Sequence, residues 1–199
     1  MSCCSQPQGG CILTPVINGQ RVILRLYDEA RDLDCIYSLL SDPLVTGPLG
    51  MPVPSITIEN LRLSKRDRTS REDATDWTIF FSENDTELFI GEIGIACWDV
   101  ENHVVEVFIA IHPDHHGKAY GIEALSVLMD SIYARTQVAL VRTQILESNT
   151  RSLSMVAKLG FRETGRRFVH PDPLRGFVGG TSVILDCRAH EFCKFSIHI

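Results

Sequence analysis

The chain has 199 residues, of which 44% are hydrophobic and 22% are charged, and its formal net charge is −6 at pH 7. These values are typical of one globular domain with a sizeable core, and no apolar run reaches the roughly 18 residues of a membrane span. We therefore expect no membrane partner, and no nucleic-acid partner either, because no excess of Lys and Arg is present to neutralise phosphates.

Residues 1–19 are predicted to form a disordered tail, because their first part is rich in Gly, Ser, Gln and Pro; a single domain over residues 20–199 follows. The tail has neither the basic nor the long apolar segment of a secretory signal. The chain has seven cysteines and no C-x-x-C unit, so we expect reduced thiols and a cytoplasmic protein. Lipidation or metal binding at Cys3 and Cys4 is the alternative.

The first half of the domain alternates strand-like and helix-like segments. The pattern predicts a strand over Val22–Tyr27, helices over Ala30–Ser41 and Ser55–Arg66 (the second starting near Ser55 or Thr57), and a hairpin of Trp77–Ser82 and Glu87–Trp98. The hairpin turn is predicted at residues 83–85. Three prolines and two glycines in Gly47–Pro54 predict a loop between the two helices.

The segment from Ile109 to Gly121, IAIHPDHHGKAYG, is the most informative one in the chain. A strand over Val104–Ile111 ends there, and a loop with two glycines leads directly into an amphipathic helix. The first turn of such a helix presents unpaired N–H groups and a positive dipole end, which suit a phosphate. Neither the P-loop nor the G-x-G-x-x-G pattern is present, so a plain surface turn is the alternative.

The second half continues with a strand over Val138–Leu146 and a short helix capped by Asn149 or Ser148. Gly160 is predicted to end that helix and Phe161 to begin the next strand, with a last strand over Thr181–Asp186. The expected fold class is α/β (α+β), with a mixed, mainly antiparallel sheet flanked by helices.

A metal site is the competing interpretation of the loop, because His112, Asp114, His115 and His116 lie close together in sequence. Metal ligands need a defined spacing and often distant partners, and adjacent histidines point in different directions. We therefore predict no metal.

Together these motifs resemble the GNAT superfamily of acyl-CoA-dependent N-acyltransferases. The resemblance rests on the order of G-K-x-Y-G loop, E-A-L helix, N-x-x-S helix and K-L-G-F, and it covers Arg21–Asp186. VILRLYDEARDLDCIYSLLSDPLV is similar to the opening of the RimJ/RimL-like branch, the ribosomal-protein N-terminal acetyltransferases and their relatives. The resemblance implies a GNAT fold and acetyl transfer from acetyl-CoA to a primary amine, at a protein N-terminus or on a small molecule, by direct attack in a ternary complex.

The resemblance also implies where acetyl-CoA binds. The implied residues are Ile109, Ala110, Ile111, His116, Gly117, Lys118, Ala119, Tyr120, Gly121 and Asn149. His116 replaces the family's Gln or Arg, and Ala119 replaces a glycine, which matters if that residue needs a positive φ. A CoA-binding protein without catalysis is therefore the alternative function. Helix capping is the competing role of Asn149, and Gly47–Pro54 is a candidate wall of the acceptor site.

The chemistry requires a base for the ammonium and a proton for the leaving thiolate. Glu106 is the predicted base, since it is the one carboxylate in the apolar strand VVEVFIAI; a solvent-facing or arginine-paired glutamate is the alternative. The tyrosine that many family members use as acid is replaced by Val156, so Ser152 of N-x-x-S is the predicted acid, with backbone hydrogen bonding as its other role. Another acyl donor such as succinyl-CoA, and a monomer or a homodimer, are left open.

Overall fold

The structure is a computed structural model that describes residues 13–51, 56–83, 86–170 and 180–196. Its strands form one sheet in the order β1-β2-β3-β4-β5-β6-β8-β7. They are β1 (Val16–Asn18), β2 (Val22–Leu26), β3 (Thr75–Glu83), β4 (Thr86–Asp99), β5 (Val104–Ile111), β6 (Leu140–Leu146), β7 (Arg162–His170) and β8 (Gly180–Arg188). Only β5 and β6 pair in parallel, which confirms the predicted mixed, mainly antiparallel sheet.

Short polar side chains cap the starts of four of the five helices, and α4 is the exception. They are α1 (Glu29–Ser41), α2 (Pro43–Thr46), α3 (Ile58–Ser70), α4 (Tyr120–Arg135) and α5 (Thr150–Ala157). Asp28 accepts a hydrogen bond from a backbone N–H at the start of α1, and Thr57 does so at the start of α3. Such bonds satisfy donors that the first helical turn leaves unpaired, and they fix where each helix starts.

Apolar side chains fill both faces of the sheet. One cluster joins the sheet to α4 and α5, and a second joins the other face to α1 and α3. Successive side chains of a strand point to opposite faces. Val105 and Val107 belong to the first cluster and Ala110 to the second, so Glu106 and Phe108 lie on the face that α1 and α3 cover.

Strands β5 and β6 separate after three paired residues. The parallel register runs from Val104 with Leu140 to Glu106 with Arg142. Beyond that point Thr143 Oγ1 donates to the carbonyl of Val107 at 3.1 Å. Within the described ranges, no strand pairs with β5 from Val107 to Ile111 on this side. The separation leaves a cleft in the sheet beside the start of α5.

Several predicted boundaries are corrected by the structure. The tail predicted over residues 1–19 is wrong for residues 13–19, because Val16–Asn18 pairs with β2 and both Leu13 and Ile17 are buried; residues 1–12 lie outside the described part. The helix predicted over Ser55–Arg66 runs from Ile58 to Ser70 with Thr57 as its cap, and Ser55 is not described.

One loop prediction agrees with the structure as far as its residues are described, and one helix end is corrected. The predicted loop Gly47–Pro54 follows the short helix α2; its residues 47–50 form a turn, and residues 52–54 lie outside the described part. Helix α5 ends earlier than predicted, with Lys158 as its C-cap, and β7 begins at Arg162. Gly160 takes a φ of +96° in the turn between them, a conformation that glycine adopts without steric cost.

Candidate active site

Three adjoining cavities follow the open edge of β5. The loop cavity, about 400 Å³, lies beside residues 115–122, and the central cavity, about 440 Å³, lies beside the turn of residues 47–49. The inner cavity, about 300 Å³, lies between β5 and β6 and reaches Glu106. Ile109 and Ser152 line all three cavities, so the three form one cleft that runs from the loop to Glu106.

The loop before α4 has the geometry expected of an anion site. The N-cap residue Ala119 gives no side-chain hydrogen bond to the first turn of α4, so N–H groups of that turn are not capped from within the loop. Gly117, Ala119 and Gly121 line the loop cavity beside this helix end. Backbone donors and the positive end of the helix dipole therefore meet at one place.

Ala119 occupies a conformation that normally favours glycine. Its φ is +64° and its ψ is 11°, in the left-handed region. A Cβ in this region approaches the following carbonyl, which costs about 1–2 kcal/mol. The alanine at residue 119 therefore carries a steric cost that a glycine would avoid. The loop keeps its shape in spite of this cost.

His116 ties the loop to its surroundings. Its Nε2 lies 2.8 Å from the carbonyl oxygen of Ile111, and its Nδ1 contacts the guanidinium of Arg151. A carbonyl only accepts hydrogen bonds and a guanidinium only donates them. Nε2 therefore carries the proton and Nδ1 accepts, so the neutral ring joins the end of β5 to α5.

Two cations at the loop cavity were not predicted from the sequence. Arg151 and Lys158 lie seven residues apart, on one face of α5, and both line the loop cavity. Their spacing was the available signal. Nine of the ten predicted cofactor residues line the cleft, and the tenth, Lys118, is exposed in the loop.

Asn149 is held by two hydrogen bonds of its side chain. Its Oδ1 accepts from the backbone N–H of Ser152 at 3.1 Å, which caps α5, and its Nδ2 donates to the carbonyl of Pro48 at 3.2 Å. Of the two predicted caps, Asn149 is therefore the one used. It also lines the central and inner cavities, so it positions the turn of residues 47–49 against the cleft.

Glu106 lies half-buried at the inner end of the cleft. Burial raises the pKa of its carboxyl group, against a smaller opposing effect of Arg142. Arg142, its neighbour on β6, instead makes two 2.8 Å hydrogen bonds to Asp186. The arginine-paired alternative is therefore not what the structure shows.

Ser152 and Val156 also line the inner cavity, one turn apart on α5. Ser152 is partly exposed, while Val156 is 2% exposed and belongs to the core. The position of the family's tyrosine is thus filled by an apolar side chain. Ser152 is the hydroxyl group that the described part of α5 offers to both Glu106's cavity and the loop cavity.

Two further observations concern the described ranges. No group of three or more His, Cys, Asp or Glu side chains is arranged there to hold a metal ion. None of the described helices is long and apolar enough to span a membrane.

Comparison with known proteins gives one family and several relatives. A protein-family model described as an acetyltransferase (GNAT) domain matches residues 21–162. A Bacillus licheniformis protein named uncharacterized N-acetyltransferase p20 is 26% identical over 148 residues, which are 73% of this chain and 82% of that protein.

Solved structures share the fold at lower identity. An acetyltransferase (GNAT family) from Bacillus anthracis superposes with a TM-score of 0.72 at 18% identity, covering 88% of this chain and 99% of the other. A spermidine N-acetyltransferase from Vibrio cholerae, in complex with CoA and spermine, superposes with a TM-score of 0.74 at 15% identity, covering 86% and 97%. These two likenesses concern the fold.

Proposed function

Because this chain belongs to the acetyltransferase (GNAT) domain family, we propose that it transfers an acetyl group from acetyl-CoA to the nitrogen of a primary amine. The observation that carries the proposal is the cleft. It joins an uncapped helix end, suited to phosphates, to a half-buried carboxylate whose pKa is raised by burial. Acetyl-CoA, a phosphorylated thioester, needs the helix end for its phosphates. A protonated amine needs the carboxylate as a base.

The cleft suggests how acetyl-CoA would lie. Its pyrophosphate would bind the N–H groups between Gly117 and Gly121, and Arg151 and Lys158 supply positive charge beside them. The pantetheine arm would follow the open edge of β5 from Ile111 to Ile109 through the central cavity. The thioester would then reach the inner cavity between Ser152 and Glu106.

The residues of the inner cavity fit each proton step of the reaction. An alkylammonium has a pKa near 10, so a base must remove its proton at neutral pH. Glu106 takes that proton, directly or through a water molecule. The amine nitrogen then attacks the thioester carbonyl, the C–N bond forms, and the C–S bond breaks. The attacking nitrogen loses its second proton, and Ser152 or water passes a proton to the thiolate and is reprotonated by it; this is a modest demand since thiol pKa values lie near 8.5.

The finer assignments belong to the same proposal. Similarity of the opening strand and first helix to the RimJ/RimL-like branch supports a protein N-terminus or a small amine as acceptor. The spermine in the Vibrio cholerae complex shows an amine bound to a protein of the same fold. We also propose a cytoplasmic location with reduced cysteines. A CoA-binding protein without catalysis is the second candidate, favoured by the strained Ala119 and by Val156 in the tyrosine position.

Glu106→Gln tests the proposal, because it keeps the shape of the side chain and removes the base. Turnover of the best amine in a broad panel should fall by about 10²–10⁴-fold if the carboxylate acts as general base. Acetyl-CoA at 100 times its dissociation constant should still add about 2.7 kcal/mol to the free energy of unfolding of both proteins. Equal turnover of variant and wild type would remove Glu106 from the mechanism, and no shift with acetyl-CoA would remove the cofactor site.

A further inference from the structure

We propose that the acceptor is a primary amine with a single positive charge and an apolar carbon skeleton, and that polyamines are poor acceptors. This inference rests on the proposed acetyl transfer and on the composition of the inner cavity. It predicts for this chain a class of acceptor that differs from the spermine bound by the Vibrio cholerae protein of the same fold.

The charges around the cleft support one cation. Among the described residues that line the three cavities, Glu106 is the one carboxylate. Asp186, on the neighbouring strand β8, is paired with Arg142 through two hydrogen bonds. Glu147, at the end of β6, is paired with Arg167 at 2.7 Å. Neither acid is thus left to attract a second ammonium group.

The acids under α3 are neutralised in the same way. Lys65 lies between Asp76, at 2.8 Å, and Glu92, at 2.6 Å, and all three are buried. Arg68 donates three further hydrogen bonds to Asp76, at 3.2 and 2.5 Å to one carboxylate oxygen and at 3.0 Å to the other. Two cations and two carboxylates balance here, so neither buried acid of this network is left to attract a second ammonium group.

A second ammonium group would therefore enter the cleft without a partner. Moving an unpaired charge out of water into a partly buried site is costly, since nothing replaces its hydration. A polyamine that places one nitrogen at Glu106 must leave its others unpaired or in solvent.

Apolar groups form much of the inner wall. The side chains concerned are Pro48, Leu49, Phe108 and Leu146, which line the same cavity as Glu106. Its volume of about 300 Å³ is at the low end for ligand sites, which run from about 300 to 1,000 Å³. A compact apolar group next to the amine would bury its surface there, and each Å² removed from water contributes about 25 cal/mol.

Two sources could supply this chemistry. One is a small arylalkylamine, and the other is the amino terminus of a protein whose first side chain is apolar. Phenethylamine and the peptide Leu-Gly-Gly amide represent them, and spermidine represents the polyamines. Preference for the peptide over phenethylamine would identify a protein terminus, and the reverse preference a small molecule; either result fits the proposed chemistry.

The test compares kcat/KM for these amines, together with their equilibrium binding to the CoA-loaded protein. We expect phenethylamine or the peptide to exceed spermidine by at least tenfold in both measurements. Comparable or better use of spermidine by the wild type would overturn the inference. If CoA binds but no amine is acetylated, the proposed function fails, and the binding ratio still decides the inference.

Gln144→Glu provides the matched variant. Gln144 is exposed and lines the inner cavity, so the change adds one carboxylate there with the same shape. An added exposed pair contributes up to about 1 kcal/mol, so relative use of spermidine should rise about fivefold. Gln137→Glu, an exposed position outside the three cavities, should leave the ratio unchanged. Equal effects of the two variants would overturn the placement of the acceptor.

Discussion

Replacement of Ala119 by glycine should stabilise the protein, although glycine usually destabilises. Ala119 has a φ of +64° in the loop before α4. Relief of the left-handed conformation contributes about 1–2 kcal/mol, and the added freedom of glycine in the unfolded chain costs about 0.4–1 kcal/mol. The balance raises the free energy of unfolding by about 0.8 kcal/mol, the midpoint of a range from about 0 to 1.6 kcal/mol.

Ala134→Gly is the matched control. Ala134 is exposed and lies in the last turn of α4 with helical backbone, so the same substitution there should lower the free energy of unfolding by up to about 1 kcal/mol. Urea unfolding of the three proteins without CoA measures both effects. The midpoints should move in opposite directions, and thermal midpoints by about 2–4 °C per kcal/mol.

The opposite signs make the comparison decisive. If Ala119→Gly destabilises as much as Ala134→Gly, residue 119 does not take a left-handed conformation, and the loop geometry is wrong. Acetyl-CoA should bind Ala119→Gly no more weakly than the wild type, because the N–H groups of the loop are unchanged. Weaker binding would show that the alanine itself helps to hold the loop.

Three further variants or conditions test other parts of the structure. Ser152→Ala should lower kcat more than it weakens acetyl-CoA binding, and less than Glu106→Gln does; equal single-turnover rates would leave thiolate protonation to water. Lys65→Met leaves Asp76 and Glu92 buried without their shared cation, so urea unfolding should show a loss of about 3–5 kcal/mol, and a loss below about 1 kcal/mol would contradict the network. Because burial raises the pKa of Glu106 and the base acts when deprotonated, kcat/KM should fall as the pH drops through that raised pKa, above the usual range of a glutamate. Glu106→Gln should lack this acidic limb, and its presence in the variant would assign the limb to another group.

The sequence was sufficient for features that depend on local patterns. The pattern of apolar residues predicted the strands β2 to β5. The succession of a strand, a glycine-containing loop and an amphipathic helix predicted the start of α4 near residues 117–121. Short polar residues before apolar runs narrowed the caps to Ser55 or Thr57 and to Ser148 or Asn149, and the structure uses Thr57 and Asn149. Glu106 stood out because a charged residue interrupts an apolar strand.

Features that depend on distant contacts could not be predicted in this way. The short strand β1 is held by pairing with β2 and by burial of Ile17, neither of which a polar tail reveals. The contact between His116 and Arg151 joins residues that are 35 positions apart. The sign of φ at Ala119 is set by how β5 and α4 meet, so the resemblance raised the question of a positive φ there and the structure answered it.

The acceptor site combines both kinds of feature. Glu106 is visible in the sequence, whereas the pairing of Asp186 with Arg142, and of Asp76 and Glu92 with Lys65, depends on the sheet register and the position of α3. Charge composition alone, with a net charge of −6, suggests an attraction for polycations. The structure places that excess charge away from the described walls of the cleft, apart from Glu106.

The most direct measurement of the central claim is the stoichiometry of acetyl transfer. The protein is incubated with acetyl-CoA and a primary amine, and free CoA thiol and N-acetylated amine are quantified together by mass spectrometry. The proposed reaction predicts one acetylated amine for each thiol released, with both products reduced in parallel by Glu106→Gln. Thiol release without acetylated amine, or neither product while acetyl-CoA binds, would contradict it.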